Sequence, residues 1–285
     1  MNCDSLLSEK MHLFAENGLV FDKSFLFHNK NLLIGKNGAG KTRFLKSLET
    51  YYNENNSENS TVLTLYFPEI NFNSDEQYPI GLYDAIFEKE KIGHGDFLKI
   101  ASKDCIFLID DIYNSMSIRA TKTQKRLQQD FQRLNKYFND LFGAELNSQR
   151  NNGDITIIKH IKDVPDRQVP IKQAIKEFSP GELMLFYVSI LVFYLDHLTE
   201  KELILIIDEP ELHLHPKALI AFMEMLMNSK AISQLWVASH SLFIMPLFPF
   251  EQIVHFDQNH IRPLNRHTYE EIYDELIGFE NVDAY

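Results

Sequence analysis

Cysteine is almost missing from this chain: 285 residues hold two, Cys3 and Cys105, with no C-x-x-C pair. That usage excludes a disulfide framework and fits a reducing, cytoplasmic setting. The opening MNCDSLLSEK has no basic stretch followed by an apolar one, so no signal peptide is expected. No apolar run is long enough for a transmembrane helix. The most apolar run, Leu183 to Leu195, is thirteen residues, short for a bilayer and apt for a buried core helix, so no membrane association is expected. Positive charge is scarce: 28 Lys and Arg stand against 40 Asp and Glu, a formal net charge of −12. That balance argues against the whole surface being a nucleic-acid binder. No internal repeat is present. The length suffices for a substantial core, and a single domain over 1–285 is expected.

What is present is concentrated in Leu203 to Pro216, LILIIDEPELHLHP. Five apolar residues, Leu203 to Ile207, suit a strand buried on both faces of a parallel sheet. The run ends in Asp208 and Glu209, and Pro210 discourages its continuation. Two acids at the end of a buried strand are costly without a cation nearby, and such sheets bind ligands just beyond their carboxyl ends. The complement is Gly35 to Thr42, GKNGAGKT, which satisfies G-x-x-x-x-G-K-[ST] between a short strand, Asn31 to Ile34, and a helix from Thr42 to Leu48. Chance would produce this match on the order of once in 30,000 residues. The expected phosphate-binding set is Gly35, Asn37, Gly38, Gly40, Lys41, Thr42 and Arg43, with Lys41 reaching the β- and γ-phosphates. Thr42 and Asp208 are the expected magnesium ligands. Glu209 is then the candidate general base, the alternative being a carboxylate that only completes a hydrogen-bond network.

Further elements lie around these two. Phe178 to Glu182, FSPGE, reads as a helix start with Ser179 as N-cap, Pro180 at N1 and Glu182 completing a capping box. Gly181 is a poor first-turn residue unless something approaches the backbone closely, and the helix N-terminus is a second anion site. Cys105 to Asp111, CIFLIDD, is another apolar run ending in acids. It reads as an ordinary strand and its turn. Between Ile118 and Phe138 stand Arg119, Lys122, Lys125, Arg126, Arg133 and Lys136 against only Asp130, with Leu127, Phe131, Leu134, Phe138 and Leu141 at steps of four and three. This is a helix with an apolar seam and basic flanks, either a lid with solvated cations or a surface for DNA, RNA or an acidic partner. Asn53 to Ser60 reads as a polar loop before a strand at Val62 to Phe67, and Asn147 to Gly153 as a turn before a strand at Ile155 to Ile158. The end, Tyr269 to Tyr285, is acidic without Lys or Arg. It reads as a solvated helix or a docking tail for a basic partner.

In order, GKNGAGKT, FSPGE, LILIIDEPELHLHP and Trp236 to Ser241, WVASHS, resemble an ATP-binding-cassette (ABC) ATPase. More narrowly, they resemble the soluble prokaryotic branch near RecF, SMC and the OLD ATPases, and Thr268 to Tyr273 is typical of that branch. The Pro in FSPGE departs from the commoner transporter form and weakens a transporter reading. The resemblance implies an α/β head with a P-loop, a mostly parallel core sheet, an antiparallel β portion and a helical lid leading to the signature, here the insertion 115–180. It implies ATP and Mg²⁺ as ligands and a head-to-tail homodimer or higher oligomer. Ser179, Gly181 and Glu182 of one protomer would cap the γ-phosphate held by another, and His240 would contact that phosphate or the attacking water. Gln77 is the candidate metal-sensing glutamine. His213 and His215, too few for structural zinc, would sit in the loop facing the other protomer. Larger relatives continue into a nuclease domain, which points to a separate effector, a nuclease or toxin, in antiphage defence. The alternative is a DNA-maintenance ATPase that binds DNA directly.

Overall fold

The computed structural model describes residues 20–21, 27–55, 60–66, 97–117, 122–147, 155–159, 166–212, 214–257 and 260–264. Gln77, Arg119, His213, Cys3 and the acidic segment from Tyr269 lie outside these residues. The chain divides into two compact units, one formed by Met1–Pro68 with Glu202–Tyr285 and the other by Glu69–Lys201.

The first unit is built on a seven-stranded sheet. Its strands are β1 (Val20–Phe21), β2 (Lys30–Gly35), β3 (Ser60–Tyr66), β7 (Glu202–Asp208), β8 (Ile232–Ala238), β9 (Ile253–Asp257) and β10 (His260–Pro263). They lie in the order β1-β10-β9-β2-β8-β7-β3. All pairs are parallel except β9 with β10. β7 is buried from Leu203 through Asp208, as a continuous apolar run in a parallel sheet demands. The helix α1 (Lys41–Asn55) follows β2 and buries Phe44, Leu45, Leu48 and Tyr51 at helical spacing. Phe44 anchors it. Its ring stacks on Phe27 at 5.4 Å and meets Trp236 and Phe256 edge-on at 5.8 and 5.6 Å. The helix is longer than the sequence reading allowed: it runs through Asn55, where the Asn55 amide donates to the Tyr51 carbonyl at 2.9 Å, so the polar loop expected from Asn53 begins later. Between β7 and β8, α6 (Pro216–Asn228) buries Leu219, Phe222, Met223 and Leu226.

The second unit contains α2 (Phe97–Ser117), α3 (Lys122–Phe142), β4 (Ala144–Leu146), β5 (Thr156–Lys159), β6 (Arg167–Pro170), α4 (Ile171–Glu177) and α5 (Pro180–Leu198). The three strands form an antiparallel sheet. Together with the parallel sheet, it matches the expected architecture of a mostly parallel core plus an antiparallel portion. α3 buries Leu127, Phe131, Leu134 and Phe138, the seam expected from the sequence. α5 is buried on almost every side, with Phe186 packed 4.8 Å from Phe138 and 5.4 Å from Phe178.

Two expectations fail here. Cys105 to Asp111 is not a strand but the middle of α2. Leu108, Ile109, Ile112 and Tyr113 are buried on it, a helical spacing that extends past the seven-residue window. α5 is also longer than its thirteen-residue apolar run. Gly181–Leu198 is long and apolar enough to cross a membrane by length and composition, yet 72% of it is buried inside the protein, as in a core helix.

Candidate functional site

Three adjacent parallel strands, β2, β8 and β7, end at one edge of the sheet, and each end carries part of the site. β2 ends in Gly35, whose φ is +144°. A Cβ there would lie 2.2 Å from the Phe256 carbonyl oxygen on β9, so the loop can leave this tightly packed strand only from a glycine. Lys36, Asn37 and Gly38 are exposed. Gly38, at φ +78°, has nothing within 4 Å of the position a Cβ would take, which leaves open space over the loop. α1 starts directly afterwards, with Phe44 N–H donating to the Gly40 carbonyl at 2.9 Å. The N–H groups that open the helix, those of Lys41 and Thr42, precede this first helical bond and face the loop with the positive end of the helix dipole.

Lys41 is buried. Its Nζ donates to the Gly35 and Lys36 carbonyls at 2.8 and 3.3 Å and lies 2.9 Å from His240 Nε2. Burial lowers its pKa to about 8, against the opposing pull of Asp208, Glu209 and Glu211. The ammonium still predominates at neutral pH, so Nε2 of His240 must be the acceptor and its proton must sit on Nδ1. Burial, with the Lys41 charge adding to it, holds His240 down at about 4. The imidazole is therefore neutral, and its 3.7 Å approach to Glu209 Oε1 is not an ion pair.

Asp208 closes β7 at 2% exposure. Its Oδ2 accepts from Thr42 Oγ1 at 2.7 Å, while its Oδ1 is buried and finds no hydrogen-bond partner among the described residues. Burial raises its pKa, with the Thr42 hydrogen bond opposing. A hydroxyl beside a carboxylate with an unused buried oxygen is a donor set suited to a hard divalent cation, so the residues fit Mg²⁺. The next residue, Glu209, has φ +53°, the one non-glycine positive φ among the described residues. Left-handed backbone at a glutamate is strained. It is held by its own N–H, which donates to the Ala238 carbonyl at 2.8 Å, and by its carbonyl, which accepts from Leu212 N–H at 3.2 Å.

β8 supplies the third part. Ser239 N–H donates to the Leu33 carbonyl at 3.1 Å, and His240 follows at the mouth of the site. One residue here was missed in the sequence. Glu211, in the 3-10 turn Pro210–Leu212, accepts from His240 N–H at 2.6 Å through Oε1 and from Ser239 Oγ at 2.8 Å through Oε2. Its only sequence signal was a third acid, two residues after Glu209.

The structure thus brings together Gly35, Lys41, Thr42, Asp208, Glu209 and His240. In the second unit, Ser179 and Glu182 form the expected capping box: Ser179 N–H donates to Glu182 Oε2 at 2.8 Å and Glu182 N–H to Ser179 Oγ at 3.3 Å, with Pro180 next to the cap. Gly181 is buried. His215 caps α6, accepting from Lys217 N–H at 3.4 Å, and belongs to no cluster of three His, Cys, Asp or Glu among the described residues.

A glycine-rich loop on a helix N-terminus, a hydroxyl–carboxylate pair and a histidine on the neighbouring strand, all on a mainly parallel sheet, form the arrangement of a P-loop phosphate-binding site. Residues 109–245 match the family described as "AAA domain, putative AbiEii toxin, Type IV TA system". Among solved structures the chain is similar to an SmcHead bound to the C-winged helix domain of ScpA, at 12% identity and a TM-score of 0.38 over 86% of this chain and 93% of that one. It is also similar to Stu0660 of Streptococcus thermophilus, at 9% identity and a TM-score of 0.36 over 88% and 76%. An Smc head domain from Pyrococcus furiosus aligns at 14% identity and a TM-score of 0.30 over 86% and 64%. Comparison with curated proteins gives no match.

Proposed function

We propose that this chain binds and hydrolyses ATP with Mg²⁺, as a head-to-tail dimer, and thereby controls a separate effector in the cytoplasm, in antiphage defence. The observation that carries the hydrolytic part is the convergence of Lys41, Thr42, Asp208, Glu209 and His240 on the ends of β2, β7 and β8. Lys41 leaves the Gly35 and Lys36 carbonyls to meet the β- and γ-phosphates. Asp208, through its unused Oδ1, and Thr42 would hold the metal, which supplies charge neutralisation on the phosphates. Glu209 orients the attacking water and takes its proton. His240, neutral, offers its Nε2 side to the γ-phosphate or that water.

Ser179 serves the partner protomer's γ-phosphate. Its hydroxyl oxygen is an acceptor in the capping box, so its proton stays available to an anion and the two roles do not compete. The matched family's description names a "putative AbiEii toxin" of a toxin–antitoxin system, which supports a toxin–antitoxin setting; the separate effector rests on the resemblance to larger relatives that carry a nuclease domain. Steady-state ATP turnover in wild type and Lys41→Ala tests the enzyme: turnover in both alike would overturn it. Purification of the native assembly, followed by identification of what stays bound, tests the effector; a homodimer alone would overturn that part.

A second reading, direct nucleic-acid binding, is favoured by one observation. Lys122, Lys125, Arg126, Arg133 and Lys136 are all exposed on α3. They fall within about 100° of arc, opposite the apolar seam, along about 21 Å of helix. A hollow of about 730 Å³ lined by Lys122, Lys125, Arg126, Gln129, Asp130 and Arg133 runs beside them. Asp130 offsets part of the charge, accepting from Arg133 at 2.8 Å, and Asp140 stands on the same arc. Such a stripe matches a phosphate backbone and predicts salt-sensitive binding. Duplex DNA binding in wild type, reduced in Lys122→Glu/Lys125→Glu with a shallower salt slope, supports this reading. No binding in wild type contradicts it.

A further inference from the structure

We infer that Glu211 is the positioning residue for His240: its carboxylate clamps the end of β8 to the turn carrying Glu209, and so fixes the histidine relative to the general base. This rests on the hydrolytic reading above. Both carboxylate oxygens are engaged, and both partners belong to consecutive residues. Oε1 accepts from His240 N–H at 2.6 Å and Oε2 from Ser239 Oγ at 2.8 Å. Charge-assisted bonds of this length are among the stronger ones a side chain makes. The Ser239 hydroxyl is also an acceptor, taking Ser241 N–H at 2.9 Å, and Ser241 Oγ takes Phe243 N–H at 3.3 Å. The chain leaving β8 is therefore strung on side-chain acceptors, with Glu211 at the head.

The clamp has a geometric purpose. Parallel strands diverge beyond their last ladder bond, and here the last backbone bond between β7 and β8 is Glu209 N–H to the Ala238 carbonyl. His240 lies two residues beyond that carbonyl, out of reach of the ladder. Glu211 replaces the missing bond from the other side. With Glu209 and Glu211 on one turn, the base and the histidine are carried on two strand ends tied at two points. The imidazole needs such a tie because its Nε2 faces both Lys41 at 2.9 Å and Glu209 at 3.7 Å, and a shift of about 1 Å at a reacting group can cost roughly 100-fold in rate.

The test is ATP turnover in Glu211→Ala, Glu211→Gln and Ser239→Ala, with thermal melting and ATP affinity measured on each. Glu211→Ala should lower kcat on the order of 10- to 100-fold with KM changed less than about threefold. Glu211→Gln should recover most of kcat, because the amide oxygen still accepts from His240 N–H and the amide nitrogen can donate to the Ser239 hydroxyl. Ser239→Ala, which removes one arm, should fall between. In a His240→Ala background, Glu211→Ala should add no further loss. Equal damage from Gln and Ala, or additive losses with His240→Ala, would overturn the clamp and assign Glu211 a role through its charge. Wild-type turnover in Glu211→Ala, with Glu209→Gln inactive, would sink the clamp alone. Turnover that survives Glu209→Gln would sink the hydrolytic reading itself.

Discussion

Lys41 Nζ lies 2.9 Å from His240 Nε2, so the lysine that opens α1 and the histidine beyond the neighbouring strand β8 satisfy one another. On the proposed function, a phosphate in the loop would compete with Nε2 for the Lys41 ammonium.

The pair makes stability depend on pH in a defined direction. His240 is held at about 4, below its ordinary 6.5, by burial and by the Lys41 charge. Between these values the unfolded chain binds more protons than the folded one, so stability falls as pH drops from 6.5 towards 4 and levels off below. His240→Gln removes this component. Melting temperatures of the nucleotide-free protein across pH 6.5 to 4.5 should therefore decline less steeply in His240→Gln than in wild type. Parallel declines would contradict the buried neutral histidine.

Asp208 offers a separate readout. Its charge is disfavoured by burial, and Oδ1 is unpartnered among the described residues. Asp208→Asn should leave the nucleotide-free melting temperature unchanged or raised, since a desolvated charge is lost and the Thr42 hydroxyl keeps an acceptor. The Mg²⁺ concentration needed for half-maximal ATP binding should rise at least about tenfold, because an amide is a weaker ligand for a hard cation. An unchanged Mg²⁺ requirement would remove Asp208 from the metal.

Stability should concentrate where the phosphate loop is anchored. Phe44→Ala empties the space among Phe27, Trp236 and Phe256 and should cost about 3–5 kcal/mol in denaturant unfolding. Gly35→Ala drives a Cβ against the Phe256 carbonyl oxygen at a φ of +144°. It should cost on the order of 3 kcal/mol and abolish nucleotide binding. A loss under about 1 kcal/mol for either would contradict the packing described.

The parts legible in the sequence are those whose physics is local. Leu203 to Asp208 announced a buried strand with acids at its end, Gly35 to Thr42 a phosphate loop, and Ser179 with Glu182 a capping box, because each is defined by neighbours in the chain. Cys105 to Asp111 misled for the same reason. A short apolar run has no visible period, and the helical spacing of Leu108, Ile109, Ile112 and Tyr113 extends beyond it. Glu211 was illegible because its partners, Ser239 and His240, are 28 and 29 positions away and are met only once β7 and β8 pair in register. The strained φ of Glu209 is likewise a product of that pairing.

The most direct test of ATP hydrolysis at this site is Glu209→Gln. Single-turnover hydrolysis should fall at least about 100-fold with ATP affinity within a few-fold of wild type, and the ATP-bound protein should persist as a dimer on sizing. Hydrolysis at the wild-type rate in Glu209→Gln would contradict the assignment of Glu209 and the mechanism built on it.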